Sequence, residues 1–205
     1  MKILIVDDHG VVREGLQRLF VAHFEAQVFE AATIDDGLAA YRRERPDVVV
    51  LDLNLAGAGG LEMLRRLLSE NAGARIVVFS MHHEPIYAVR ALRSGARGYV
   101  SKSAPVEELI TAIRKVRAGE QYIDRDLASR IAVSQISAED PLQSLSIREV
   151  EILRMLGQGK SMTAISESLG IAYKTVANIC TQMKVKLGVD RTADLIRVAI
   201  ETLKT

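Results

Sequence analysis

Val48-Val49-Val50-Leu51-Asp52-Leu53-Asn54-Leu55 is the stretch on which the reading of this chain turns. Four apolar residues in a row, three of them β-branched, are the pattern of a strand buried on both faces, as in a parallel sheet. The run closes on a carboxylate. In open α/β sheets ligands gather beyond the carboxyl ends of the strands. Taken alone, Asp52 serves as well for a helix cap or a loop residue. The first strand, Lys2-Ile3-Leu4-Ile5-Val6, also passes straight into acid, at Asp7 and Asp8. Two such strands crowd three carboxylates at one edge, which is costly without a cation. Oxygen-only ligands in that setting suit Mg²⁺, which uses few carboxylates, keeps some of its waters and often works beside a phosphoryl group.

Outward from that pair of strands, residues 1–120 alternate short apolar runs with amphipathic stretches. Further strands are expected over 27–31, 75–80 and 98–102, and helices over 12–22, 34–44, 61–70, 85–94 and 105–118. Thr33 or Asp35 caps the second helix, and Gly95 and Gly119 close the fourth and fifth. Five βα units in succession predict a doubly wound α/β domain with a five-stranded parallel sheet in the order 2-1-3-4-5. Under that order Asp7, Asp8, Asp52, Ser80 and Lys102 all reach the carboxyl edge. The set is chemically coherent. Asp52 is the candidate nucleophile toward a phosphoryl donor, and Asp7, Asp8, Asp52 and the Asn54 carbonyl are candidate Mg²⁺ ligands. Lys102 offsets charge on phosphoryl oxygens and Ser80 donates a hydrogen bond to one of them. His82 and His83 read as solvated loop residues.

The bulk numbers set limits. With 205 residues, 48% of them hydrophobic, the chain has room for one or two cores. No apolar run is long enough to span a membrane, and no signal-peptide layout precedes the first strand. Cys180 is the only cysteine, so no internal disulfide forms and a cytoplasmic location is expected. Net charge is +1 overall, but residues 144–205 carry nine Lys/Arg against six Asp/Glu. That excess permits nucleic-acid binding without requiring it.

Residues 121–143 read as a linker, with 124–134 able to form a short helix and 137–141 polar. The last 62 residues, 144–205, read as an all-α domain of four helices. Ser146-Ile147-Arg148-Glu149 forms a capping box, Ser161 caps a helix over 162–169, and Gly170 separates it from a helix over 173–187. Two helices joined through Leu169-Gly170-Ile171 are the pattern of a helix-turn-helix, although a packing hairpin shows the same periodicity.

The longer strings are more specific. Asp7-Asp8, Asp52, Ser80, Tyr99 and Lys102 resemble the receiver domain of bacterial two-component response regulators, whose sheet is flavodoxin-like. That resemblance implies phosphorylation of Asp52 by a sensor histidine kinase and a switch that involves Ser80 and Tyr99. Residues 145–153, Gly159-Lys160-Ser161, Leu169-Gly170-Ile171, Lys174-Thr175-Val176 and Lys186-Leu187-Gly188 resemble the LuxR-type DNA-binding domain. Together the two are similar to a NarL/FixJ-type regulator: a phosphorylation-controlled transcription factor, not an enzyme, that binds double-stranded DNA as a homodimer. The departures matter. Ala56 stands where a proline is usual, and the loop Ala56-Gly57-Ala58-Gly59-Gly60 is expected to be flexible; Ser103 follows Lys102, so a cis peptide is not expected there. Ala172 replaces the usual capping serine, and Ala177 and Ile179 replace a basic residue and a histidine. DNA contacts are therefore expected from Lys174, Thr175, Asn178, Thr181, Gln182 and Lys184. Leu195, Ile196, Ala199, Ile200 and Leu203 form a stripe that suits either a dimer face or the domain's own core. Asn54 cannot be a general acid, which argues against an aspartyl-phosphate phosphatase. A degenerate receiver acting without phosphate is the alternative, and the intact acids and Lys102 argue against it.

Overall fold

The β-branched runs form the expected sheet. The computed structural model describes residues 1–55, 60–136 and 141–202, which fall into two compact units, Met1–Gln135 and Ile136–Thr205. In the first, β1 (Lys2–Val6), β2 (Gln27–Ala31), β3 (Val48–Leu51), β4 (Ile76–Ser80) and β5 (Gly98–Ser101) are all parallel. Helices α1 (Gly10–Phe24), α2 (Ile34–Glu44), α3 (Gly60–Glu70), α4 (Pro85–Arg93) and α5 (Val106–Arg117) alternate with them. The order is β2-β1-β3-β4-β5, with a sixth strand, β6 (Tyr122–Ile123), added beside β5. One face of the sheet buries Ile3, Ile5, Val48, Val50, Val77 and Val100 against Leu16 and Phe20 of α1 and Leu109, Ile113 and Val116 of α5. Successive side chains alternate across a strand, so Leu4, Val49, Leu51 and Val78 fill the opposite face.

One point differs from the sequence reading: the sheet has six strands, because β6 follows α5, and the short helix expected within 124–134 forms as α6 (Arg125–Ile136). Asp124 is the reason. Its carboxylate accepts from the Ser101 amide at 2.9 Å and the Leu127 amide at 3.0 Å, and its own amide donates to the Tyr99 carbonyl at 3.1 Å. It caps α6 while fastening the helix start to β5. The expectations for the loop at 56–59 and for 137–140 lie outside the described residues, and no peptide bond among the described residues is cis.

The second unit holds a short 3-10 turn at Pro141–Ser144, then α7 (Ile147–Gly157), α8 (Met162–Leu169), α9 (Tyr173–Leu187) and α10 (Thr192–Thr202). The Ser146–Glu149 capping box and the Ser161 cap both form, and Gly170 closes α8 in the left-handed region. Val150, Leu153, Ile165, Val176, Cys180, Met183, Leu195 and Ala199 make the core. Leu195 and Ala199 are therefore internal, whereas Ile200 stays 47% exposed; Leu203 lies outside the described residues.

Glu149 does two jobs. Besides closing the box, it accepts from Lys186 Nζ with both oxygens, at 2.8 and 2.7 Å, so α7 holds the end of α9. Burial alone raises the Glu149 carboxyl; the bonds from Lys186 and Ser146 outweigh it and hold the group below the ordinary carboxylate value. A depressed value contributes stability that is present above the unfolded pKa and lost as pH falls through the folded one. Glu149→Gln is expected to weaken the second unit by about 1 kcal/mol at pH 7, since the Lys186 end is partly solvated. The gap closes in acid, as urea midpoints read from α7 and α9 amide signals will show.

Candidate functional site

Register brings the acids together. Val6 pairs with Leu51, so Asp7 and Asp52 leave adjacent strands side by side, and the Asp52 amide donates to the Val6 carbonyl at 2.8 Å. Both residues are 2% exposed. Lys102, just beyond β5, places Nζ 2.7 Å from Asp7 Oδ2 and 2.7 Å from Asp52 Oδ2. Asp52 Oδ1 accepts from the Asn54 amide at 3.1 Å, while Asp8 stands exposed at the mouth. Asp7, Asp8, Asp52, Asn54 and Lys102 thus occupy one pocket, as the sequence reading expects. Ser80 is fully buried and its Oγ accepts from the His82 amide at 3.2 Å.

The charges are unequal. Burial pushes the Asp52 carboxyl above its ordinary value; Lys102 opposes this and nearby Asp7 adds to it. Burial also works to lower the Lys102 ammonium, but hydrogen bonds to Asp52 and Asp7 raise it above the usual lysine value. The two directions agree once counted: one ammonium serves two carboxylates, so Lys102 has two anionic partners while Asp52 has only a share in one cation. Negative charge is left over at the mouth, where Asp8 adds a third carboxylate.

Several participants escape sequence reasoning. His9 places Nδ1 2.7 Å from Asp8 Oδ1 and 3.2 Å from Asp7 Oδ1, and only its adjacency to the acidic pair hinted at this. Arg13 donates to the Asp7 carbonyl at 2.7 Å. Gly60 is required by close approach: a Cβ there lies 2.1 Å from the Asp52 carbonyl oxygen. His82 corrects an expectation, because it is buried and not solvated. Its ring stacks on Tyr87 with centroids 4.0 Å apart, Nε2 lies 2.8 Å from Asn54 Oδ1, and its carbonyl accepts from the Tyr99 hydroxyl at 2.8 Å. Tyr99 is itself fully buried, which drives its phenol well above 10 and keeps it a neutral donor.

In the second unit, Lys174, Thr175, Asn178, Thr181 and Gln182 are exposed on α9. At 100° per residue they share one face about 120° wide. Val185, 80% exposed, extends that face and was not anticipated. Lys184 sits on its shoulder, partly buried. The Thr181 hydroxyl donates to the Ala177 carbonyl at 3.1 Å, and Ala172 caps α9 with no side-chain bond, as the missing serine implies.

Comparisons with known proteins agree with this architecture. Residues 3–114 match the response regulator receiver domain family, and residues 143–199 match the bacterial regulatory proteins of the luxR family. The chain is 35% identical to Response regulator UvrY of Escherichia coli over 98% of this chain and 94% of that one. It is 37% identical to Transcriptional activator protein ExaE of Pseudomonas putida, over 98% and 96%. The crystal structure of a LuxR-family two-component response regulator from Aurantimonas superposes with a TM-score of 0.64 at 39% identity, covering 66% of this chain and 98% of that one.

The raised Asp52 value has a consequence for stability. When a folded-state pKa lies above the unfolded one, ionisation weakens the fold at high pH, and the penalty fades as pH falls. Asp52→Asn is expected to be more stable than wild type at pH 7 in metal-free buffer. Urea midpoints will converge as pH drops through the raised Asp52 value.

Proposed function

The chain belongs to the bacterial response regulators that join a receiver domain to a LuxR-type DNA-binding domain, and we propose that Asp52 is its phosphoacceptor, charged by a sensor histidine kinase. The protein is a two-component regulator of transcription and not an enzyme. The observation that carries the Asp52 assignment is the bridge from Lys102 Nζ to Asp7 and Asp52, 2.7 Å to each. It joins the ends of β1, β3 and β5 into one anion-handling pocket. In the transfer, an Asp52 oxygen attacks the phosphorus of a phosphohistidine, and the P–N bond breaks with its electron pair going to the departing imidazole. Lys102 faces the oxygens of the incoming group, and Ser80, at the end of β4, supplies a hydroxyl donor on its far side.

The donor set fits a hard divalent cation: Asp7, Asp8, Asp52 and the Asn54 carbonyl set oxygen ligands against one ammonium. Mg²⁺, when bound, neutralises charge on the transferred phosphoryl group. The strand register holds the backbone of these residues in place, so rearrangement on transfer falls on the Lys102 and Ser80 side chains.

For the switch, Ser80 and Tyr99 are supported by one chain of bonds. The Ser80 hydroxyl meets the His82 amide, and the His82 carbonyl meets the Tyr99 phenol. Asp124 then ties the end of β5 to α6. A phosphoryl group on Asp52 that recruits Ser80 must disturb His82, and with it Tyr99 and the start of α6. Phosphorylation thereby biases a pre-existing equilibrium toward a DNA-competent homodimer, for which Ile196 and Ile200 offer an available face. The receiver body is taken to extend through α6, with the connection to residues 144–205 following it. Recruitment by a kinase and binding to chromosomal DNA support a cytoplasmic location. Among the described residues, no helix is long and apolar enough to cross a membrane.

On DNA, Asn178 reads a base edge in the major groove from the middle of the α9 face. Thr175, Thr181 and Gln182 flank it, and Lys174 and Lys184 contact phosphate.

Two outcomes test this reading. Acetyl phosphate with Mg²⁺ is expected to label wild type and not Asp52→Asn; equal labelling of the variant removes the acceptor assignment, and DNA binding indifferent to label supports a degenerate receiver. Asn178→Ala is expected to cost about 1–3 kcal/mol on operator DNA and little on random DNA. Lys174→Ala weakens both alike and flattens the salt dependence, as fluorescence titrations will show.

A further inference from the structure

His9 remains without a role in the transfer just described. Its side chain is 64% exposed, so no packing holds the ring where it lies. It is the residue before α1, at φ −88° and ψ 107°, and it makes no side-chain capping bond. The ring turns to the acids instead. Its main-chain amide donates to Asp7 Oδ1 at 2.8 Å, while Nδ1 lies 3.2 Å from that same oxygen and 2.7 Å from Asp8 Oδ1. One donor atom each from Asp7, Asp8, His9 and Asp52 can be chosen so that all lie within 4.8 Å of one another.

Those spacings have a meaning in coordination geometry. With ligand bonds of about 2.1–2.2 Å, neighbouring donors of a six-coordinate ion stand about 3 Å apart and opposite donors about 4.3 Å apart. Both His9 separations match neighbouring donors. The full spread of the four atoms exceeds the opposite-donor distance by only a few tenths of an ångström, within the reach of a side chain at an open mouth. Accordingly, the cation pocket contains a nitrogen donor beside its oxygens.

We propose that His9 Nδ1 is a ligand of the divalent cation in this pocket, and that the pocket therefore favours a first-row transition cation such as Mn²⁺ over Mg²⁺. The proposal rests on the reading of Asp7, Asp8 and Asp52 as a cation site. Mg²⁺ is hard and takes oxygen ligands almost exclusively; Mn²⁺ also takes carboxylate and carbonyl oxygens, but as the first member of the divalent transition series it accepts an imidazole nitrogen more readily than Mg²⁺ does. Asp8, Asp52 and the Asn54 carbonyl serve either ion; the imidazole adds binding for the transition cation alone. An ion pair without metal ligation explains the 2.7 Å contact equally well, and it predicts no discrimination between cations. The two accounts separate on selectivity.

The test uses the full-length protein with Mn²⁺ as the probe. Pulsed electron paramagnetic resonance of Mn²⁺ bound to wild type is expected to show ¹⁴N modulation from a directly bound nitrogen, and His9→Ala is expected to lose it. Titration of the free Mn²⁺ signal, with Mg²⁺ as competitor, is expected to show at least about a tenfold loss of Mn²⁺ affinity in His9→Ala. Mg²⁺ affinity should change by less than about twofold. Absence of ¹⁴N modulation in wild type overturns the proposal whatever the variant does. So does an equal loss of both cations in His9→Ala, which assigns His9 to charge alone. If neither cation binds wild type, or Asp52→Asn binds Mn²⁺ as wild type does, the cation site itself is misplaced and the functional reading falls with it. Loss confined to His9 ligation leaves that reading intact.

Discussion

One ammonium shared between two buried carboxylates governs the first unit. Lys102, Asp7 and Asp52 come from three different strand ends, and none of them is tolerable alone in so little solvent. Removing Lys102 leaves two buried carboxylates side by side without the ammonium that bridges them, and breaking a buried ion pair in this way is strongly destabilising. The bridge also leaves the acids short of positive charge, and the proposed binding of a cation and a phosphoryl group rests on that deficit. Stability and the proposed chemistry draw on the same three side chains, and burial pushes the Asp52 carboxyl up despite its bond to Lys102.

Around this bridge the sheet does little more than keep register. Parallel pairing of Val6 with Leu51 and of Ser80 with Ser101 sets the edge from which every reactive group projects. Gly60 then lets α3 approach the Asp52 carbonyl more closely than any side chain allows. A separate chain of hydrogen bonds leads away from the site. His82, packed between Asn54 and Tyr87, touches Ser80 and Tyr99 through its own backbone, so the residue beside the pocket and the residue inside β5 share a neighbour. Asp124 extends the same path to α6.

The second unit solves a different problem, that of holding an uncapped helix. Ala172 leaves the start of α9 without a side-chain acceptor. Its far end is held instead by the Glu149–Lys186 pair, and its inner face by Val176, Cys180 and Met183. The exposed face is thereby kept free of structural duty, apart from the Thr181 hydroxyl, which bonds back to its own helix.

Much of this was legible in the chain itself. Apolar runs of four or five residues with helical stretches between them point to a parallel sheet, because helices that cross over both sides bury both faces of each strand. Acids at the ends of two such runs mark the site, since side chains just beyond a strand must lie at the sheet edge; capping residues and glycines set the helix boundaries of the second unit in the same local way. What the tertiary structure alone decided are the contacts between segments far apart in the chain. No period in the sequence announces that Asp124 reaches back to Ser101, that Tyr122 and Ile123 add a strand, or that His82 turns inward while its neighbour does not. Nor does local pattern divide the last helix into a buried side at Leu195 and Ala199 and an open one at Ile200. Local sequence dictates periodicity and caps through interactions a few residues long; burial and shared hydrogen bonds depend on which distant segment arrives opposite, and only the folded chain settles that.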